Sequence, residues 1–68
     1  MMNSKLMGER LKKLRIDNNK SQEEVARDLN INLSAYTKYE AGLRTPRDEV
    51  KILLAGYFNV SIQELFFA

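Results

Sequence analysis

The stretch Gln22-Glu23-Glu24-Val25-Ala26-Arg27-Asp28-Leu29-Asn30-Ile31-Asn32-Leu33-Ser34-Ala35-Tyr36-Thr37-Lys38-Tyr39-Glu40-Ala41 decides the fold. Val25, Ala26 and Leu29 share one face of a helix. Asn30 interrupts it, and asparagine tolerates the left-handed backbone that a tight turn demands. Ile31 follows as a plug for the core. Asn32 is a good N-cap for a second helix, whose inner face carries Tyr36 and Tyr39 at i, i+3 spacing. Two helices joined by so short a turn meet at a steep angle. That geometry needs a small residue where they nearly touch, and Ala26 supplies it.

Outward from this window the pattern stays helical. Ser21-Gln22-Glu23-Glu24 is a capping box, so the helix begins at Gln22. Before it, Met7, Leu11 and Leu14 form an i, i+4, i+7 stripe that predicts a helix over about 6–18, broken by Asn18-Asn19-Lys20. After it, Gly42 ends the second helix of the window and Leu43 to Pro46 form a loop. Pro46, the only proline, suits the start of a helix over about 47–58 with Val50, Leu53, Leu54, Tyr57 and Phe58 on its apolar faces. Gly56 inside that helix costs about 1 kcal/mol relative to Ala and is expected to allow close packing. Ser61-Ile62-Gln63-Glu64 is a second capping box opening a short last helix with Leu65 and Phe66. The fold class is therefore all-α, with five short helices. Residues 1–5 read as a loose arm and 6–68 as one domain.

Composition narrows the function. The chain has 68 residues, no Cys and no His. Disulfides and thiolate metal sites are excluded, along with the commonest general base at neutral pH. No apolar run approaches the roughly 20 residues needed to span a bilayer, and Lys5, Glu9 and Arg10 interrupt any secretory leader. No cofactor, metal or membrane partner is expected, and the expected location is cytoplasmic. The net charge of +2, from 11 basic and 9 acidic residues, says little until the basic residues are placed on a face. Asp48-Glu49 does not make a catalytic pair: helix-dipole complementation explains it, and no acid, base or metal ligand completes a site. The chain reads as no enzyme. A helix held up from the body after a tight turn is instead the arrangement that enters a DNA major groove.

The stretches Gly8-Glu9-Arg10-Leu11-Lys12-Lys13-Leu14-Arg15, Ser21 to Ala26, Tyr39-Glu40-Ala41-Gly42, Pro46 and Asn59-Val60-Ser61-Ile62-Gln63-Glu64-Leu65-Phe66, in this order and spacing, resemble the lambda repressor-like helix-turn-helix domains of the phage Cro/C1, or Xre, type. The resemblance covers about residues 6–66 and implies roles by position. Gln22 would touch the DNA backbone and brace the recognition helix. Leu33, Ser34, Thr37 and Lys38 would face the groove, with Asn32 at the start of that helix. Arg44 and Arg47, with Thr45 between them, would grip phosphates around Pro46. Arg15 and Glu40 would form an ion pair between the first and third helices. The implied function is a sequence-specific regulator of transcription, a repressor, in a bacterial or phage setting.

The chain also departs from the pattern. Leu33 replaces the Gln or Arg often found there, so it offers only apolar contact, such as to a thymine methyl. Lys20 stands where an apolar residue is common, Asp48 likewise, and Tyr36 and Tyr39 are bulkier than the usual aliphatics. Both tyrosines read as core with hydroxyls at the surface, Tyr36 alternatively with its hydroxyl at a phosphate. Lys12, Lys13 and Arg15 divide between a solvated helix face and phosphate contact. Of Phe66 and Phe67, one is expected to pack inside and the other to remain exposed; the two are the expected homodimer interface, pairing recognition helices on half-sites roughly 34 Å apart in a palindromic operator. Since the chain shows no ligand-sensing part, regulation is expected to come from its own concentration, from a regulatory protein partner, or from a further part of a longer repressor. The rival class is a protein-interaction module, an antitoxin or adaptor using the same fold. Clustering of Lys38, Arg44 and Arg47 without intervening carboxylates separates the two.

Overall fold

In a computed structural model, described over residues 4–67, the chain runs as α1 (Ser4–Asp17), α2 (Gln22–Leu29), α3 (Leu33–Ala41), α4 (Asp48–Tyr57) and a closing π-helical turn, Gln63–Phe67. No strand occurs among the described residues. The first helix starts earlier than the sequence suggests. Ser4 and Lys5, expected in a loose arm, are helical, and Ser4 shares a 2.9 Å hydroxyl hydrogen bond with Thr45. The remainder of that arm, Met1 to Asn3, lies outside the described residues.

Local chemistry sets the helix ends. The Ser21 hydroxyl accepts from the Glu24 amide at 3.0 Å while the Glu24 carboxylate accepts from the Ser21 amide at 3.0 Å, closing the capping box. That backbone hydrogen bond holds the Glu24 carboxyl below its ordinary range. The same box recurs at Ser61 and Glu64. Asn32 caps α3 by accepting from the Ala35 amide at 3.2 Å. All four α-helices end alike. Asn19, Asn30, Gly42 and Asn59 adopt left-handed backbone, and the following amides of Lys20, Ile31, Leu43 and Val60 reach back five residues to Arg15, Ala26, Lys38 and Ala55 carbonyls. This is the Schellman arrangement, which satisfies carbonyls that a helix end otherwise strands.

The core joins one face of each helix. Met7 and Leu11 of α1 meet Val25 and Ala26 of α2, Tyr36 and Tyr39 of α3, Val50, Leu54 and Phe58 around α4, and Leu65 and Phe66 of the closing turn. Leu14, Leu29 and Ile31 pack at its margin. Tyr36 and Tyr39 meet edge to face, ring centroids 6.4 Å apart. In α4 the buried residues are Val50, Leu54 and Ala55, whereas Leu53 turns outward.

Two glycines let α3 lie against α1. A Cβ on Gly8 would meet the backbone carbonyls of Tyr39 and Glu40, the former at 2.7 Å. At Gly42, a Cβ would come 2.8 Å from the Lys5 Cα, on a backbone with φ of 75°. Gly56, expected to permit close packing, does no such thing: nothing lies within 4 Å of where its Cβ would be.

Candidate nucleic-acid interface

The start of α3 and the loop before α4 form one open groove. Asn30, Ile31, Asn32, Ser34, Ala35, Tyr39, Arg44, Arg47 and Val50 line it, and no carboxylate does. The structure thus brings Asn32, Ser34, Arg44 and Arg47 together. Arg44 and Arg47 are exposed, and neither has a carboxylate within ion-pair distance among the described residues. Lys38 is likewise exposed and unpaired there, one helical turn beyond Ser34, outside the groove lining. Leu33, 41% exposed, stands at the head of α3. Thr37 is half-buried, and its hydroxyl donates to the Ser34 carbonyl at 2.8 Å, leaving its lone pairs as acceptors. Thr45 is exposed but tied to Ser4. The Asn32 side-chain oxygen is committed to its cap, so only its amide nitrogen remains for a ligand.

Behind the exposed face of α3 lies a polar knot. Glu40 is held bidentately by Arg15: Nε donates to Oε2 at 2.7 Å and Nη2 to Oε1 at 3.2 Å. The third nitrogen of Arg15 donates to the Lys20 carbonyl at 2.9 Å, fixing the turn between α1 and α2. Gln22 Nε2 donates to Glu40 Oε1 at 3.1 Å. The Arg15 and Glu40 side chains are only 13% and 4% exposed, so this is a buried pair and not a surface ornament. Burial alone would raise the Glu40 carboxyl, but the donors around it, Arg15 foremost, outweigh that and hold it below its ordinary value. Glu40 correspondingly raises the Arg15 guanidinium.

The Tyr36 hydroxyl, expected at the surface or at a phosphate, reaches neither. Its side chain is fully enclosed, the oxygen makes no direct hydrogen bond, and burial, with the Glu40 carboxylate second, pushes the phenol far above the usual tyrosine range. Arg15 is spent inside the knot, so it adds nothing to an electrostatic footprint. Lys13 pairs with Asp17 at 3.0 Å on a solvated face, and Lys20 lies 4.0 Å from Asp28. Asp28 also accepts from the Tyr57 hydroxyl at 2.6 Å, a bond between α2 and α4 that pushes the Tyr57 phenol up to about 12.

Phe66 offers no face to a second copy, because it lies wholly in the core. Phe67 is the outward residue of the two, 53% exposed, and with Ile52 and Ile62 it lines a shallow apolar groove rimmed by Asp48 and Lys51. The Lys51 ammonium sits 5.8 and 5.4 Å from the Phe66 and Phe67 ring centroids, favourable for cation–π attraction. Sequence reasoning overlooked Lys51. A basic residue three positions after Asp48 was the available signal, and they do pair at 3.6 Å. Among the described residues no helix is long and apolar enough to cross a membrane.

Comparison with known proteins agrees with this architecture. The solved DNA-binding domain of BldD from S. venezulae superposes with a TM-score of 0.80 at 24% identity, covering 94% of this chain and 96% of that one. A crystal structure of the BldD DNA-binding domain gives 0.79 at 24% identity, covering 94% and 93%. Among curated proteins, the cryptic phage CTXphi transcriptional repressor RstR of Vibrio cholerae is 32% identical over 60 residues, 88% of this chain and 54% of the relative. Its counterpart in a serotype O1 strain of Vibrio cholerae is 39% identical over 57 residues, 84% of this chain and 51% of the relative. The chain spans about half the length of these curated relatives. A family model described as helix-turn-helix matches residues 11–65. With that match across most of its length, the chain belongs to the Cro/C1-type, or Xre-type, helix-turn-helix family.

Proposed function

We propose that this chain is a sequence-specific double-stranded DNA-binding regulator of transcription, a repressor that acts in the cytoplasm without catalytic machinery or cofactor. It binds a palindromic operator as a homodimer, with α3 in the major groove. The observation that carries this reading is the carboxylate-free groove that joins Asn32 and Ser34 at the head of α3 to Arg44 and Arg47. Arg44 and Arg47 grip phosphates, which supply affinity without sequence information, while Ser34, Thr37 and Lys38 read base edges and Leu33 meets a thymine methyl. Gln22 and Asn32 donate to the backbone flanking the recognition helix, and Thr45 lies at the edge of the same surface. The repressor names of the Vibrio relatives support the regulatory part of the reading. The exposed Ile52, Ile62 and Phe67 supply the apolar surface for a second copy.

Selection from a random duplex pool at about 0.1 M salt, where nonspecific charge contacts are partly screened, tests the proposal. The expected product is a palindrome with half-sites about 10 bp apart, relaxed at the positions Lys38 reads when the selection is repeated with Lys38→Ala. A pool without consensus, bound weakly and released as salt rises, would refute it in favour of a protein-interaction module docking through Leu33 and Phe67.

A further inference from the structure

The knot behind α3 holds more than a structural ion pair requires. Glu40 already receives two donors from Arg15, yet its Oε1 also takes the side-chain amide of Gln22, the first residue of α2, at 3.1 Å. A side-chain amide has two faces of opposite character: a carbonyl oxygen that accepts and an NH2 that donates twice. An ionised carboxylate can only accept. Glu40 therefore dictates which way the Gln22 amide is turned. One N–H points to Glu40, and the second N–H is left for another acceptor.

We infer that Glu40 is a positioning residue for the contact between Gln22 and a DNA phosphate, fixing the amide so that it presents a hydrogen-bond donor. This rests on the DNA-binding reading above and deepens it: the Arg15–Glu40 pair acts on the ligand through Gln22 as well as on the fold. A neutral partner at position 40 leaves the amide free to turn its carbonyl outward, where a phosphate oxygen repels it. Arg15 compensates the Glu40 charge, so the carboxylate does not itself oppose the phosphate.

The test uses the duplex recovered by selection, with single phosphates replaced in turn by neutral methylphosphonates. One position in each half-site is expected to weaken the unaltered protein about tenfold, the scale of a hydrogen bond to a charged group. Gln22→Met and Glu40→Gln should each become indifferent to that one position while still responding at the phosphates gripped by Arg44 and Arg47. A destabilised but otherwise intact protein would lose affinity evenly at all positions, so the selective loss separates positioning from stability. Full sensitivity retained in folded Glu40→Gln overturns the inference, as does a Gln22→Met protein with no selective loss. Should Glu40→Gln fail to fold, the side-chain amide resonances of Gln22 in the unaltered protein decide. On duplex binding the outward hydrogen should shift and the one facing Glu40 should hold; equal movement of both overturns the inference. Recovery of no duplex at all refutes the DNA-binding reading, and the inference with it.

Discussion

Breaking the Arg15–Glu40 pair from either side should remove a large part of the stability of this chain. Glu40→Gln keeps the shape of the side chain but leaves the Arg15 guanidinium, 13% exposed, with only the Lys20 carbonyl as a firm partner. Arg15→Met leaves a carboxylate 4% exposed with Gln22 as its only well-formed hydrogen bond and no compensating charge. Removing one member of a buried pair typically costs about 3–5 kcal/mol. At about 0.05–0.15 kcal/mol per residue, a chain of 68 residues has roughly 3–10 kcal/mol in total. Each single variant should therefore melt at least about 12 °C lower, since about 1 kcal/mol moves the midpoint of so small a domain by 4–8 °C. The double variant should cost little more than either single one, giving a coupling of about 3 kcal/mol or more in urea melts. Acid titration gives a second reading. The Glu40 carboxyl sits lower in the folded chain than its ordinary 4.5. Its contribution is thus fully present above that value and is lost as pH falls through the folded one. The urea midpoint of the unaltered protein should decline below about pH 4.5 more steeply than that of Glu40→Gln. A coupling under about 0.5 kcal/mol, the scale of an exposed pair, with parallel acid profiles, would refute the reasoning.

Gly8→Ala forces a Cβ onto the Tyr39 and Glu40 carbonyls and should destabilise by about 2–3 kcal/mol or more, whereas Gly56→Ala meets only open space and should stabilise by about 0.5–1 kcal/mol; thermal melts of the two check both signs. Tyr36→Phe removes an enclosed hydroxyl that lies against the Glu40 carboxylate without a well-formed direct hydrogen bond, so its melting temperature should stay within a few degrees of that of the unaltered protein. The Tyr57 phenol is raised by its bond to Asp28. Its stabilisation is whole below pH 10, the unperturbed value, and is lost as pH rises toward about 12; a Tyr57→Phe protein should show a flatter alkaline limb in circular dichroism melts.

Features governed by neighbours in sequence were legible before the structure. The capping boxes at Ser21 and Ser61, the left-handed turns at Asn30 and Gly42 and the cap at Asn32 all follow from side chains reaching backbone within a few residues. Asn59 escaped notice although Asn59-Val60 repeats the Asn30-Ile31 pattern of a left-handed residue followed by an apolar one. Gly8 was illegible in a different way: what excludes a side chain there is the backbone of α3, some thirty positions along the chain. Helix α4 is apolar on nearly every side, so periodicity could not say that Ala55 and not Leu53 faces inward. That Phe66 and Phe67 could not both face one side of a short helix was clear, but whether one of them pointed out, and which, depended on the wide turn of the closing helix. For the candidate site, the residue types and the Arg15–Glu40 partnership came from the family resemblance. The third donor, Gln22, and the enclosure of Tyr36 came only from packing.

The bare meeting of α1 and α3 at Gly8 has a consequence for association. Because no side chain intervenes there, and because Gly42 seats the end of α3 on Lys5, α3 is held against the body backbone to backbone. A helix already fixed in its working orientation loses little further freedom when it docks, so less of the contact energy is consumed in ordering. On the proposed reading, the unliganded protein is therefore a rigid template for its operator. The adjustable parts of the encounter are then the long side chains of Lys38, Arg44 and Arg47, together with the DNA.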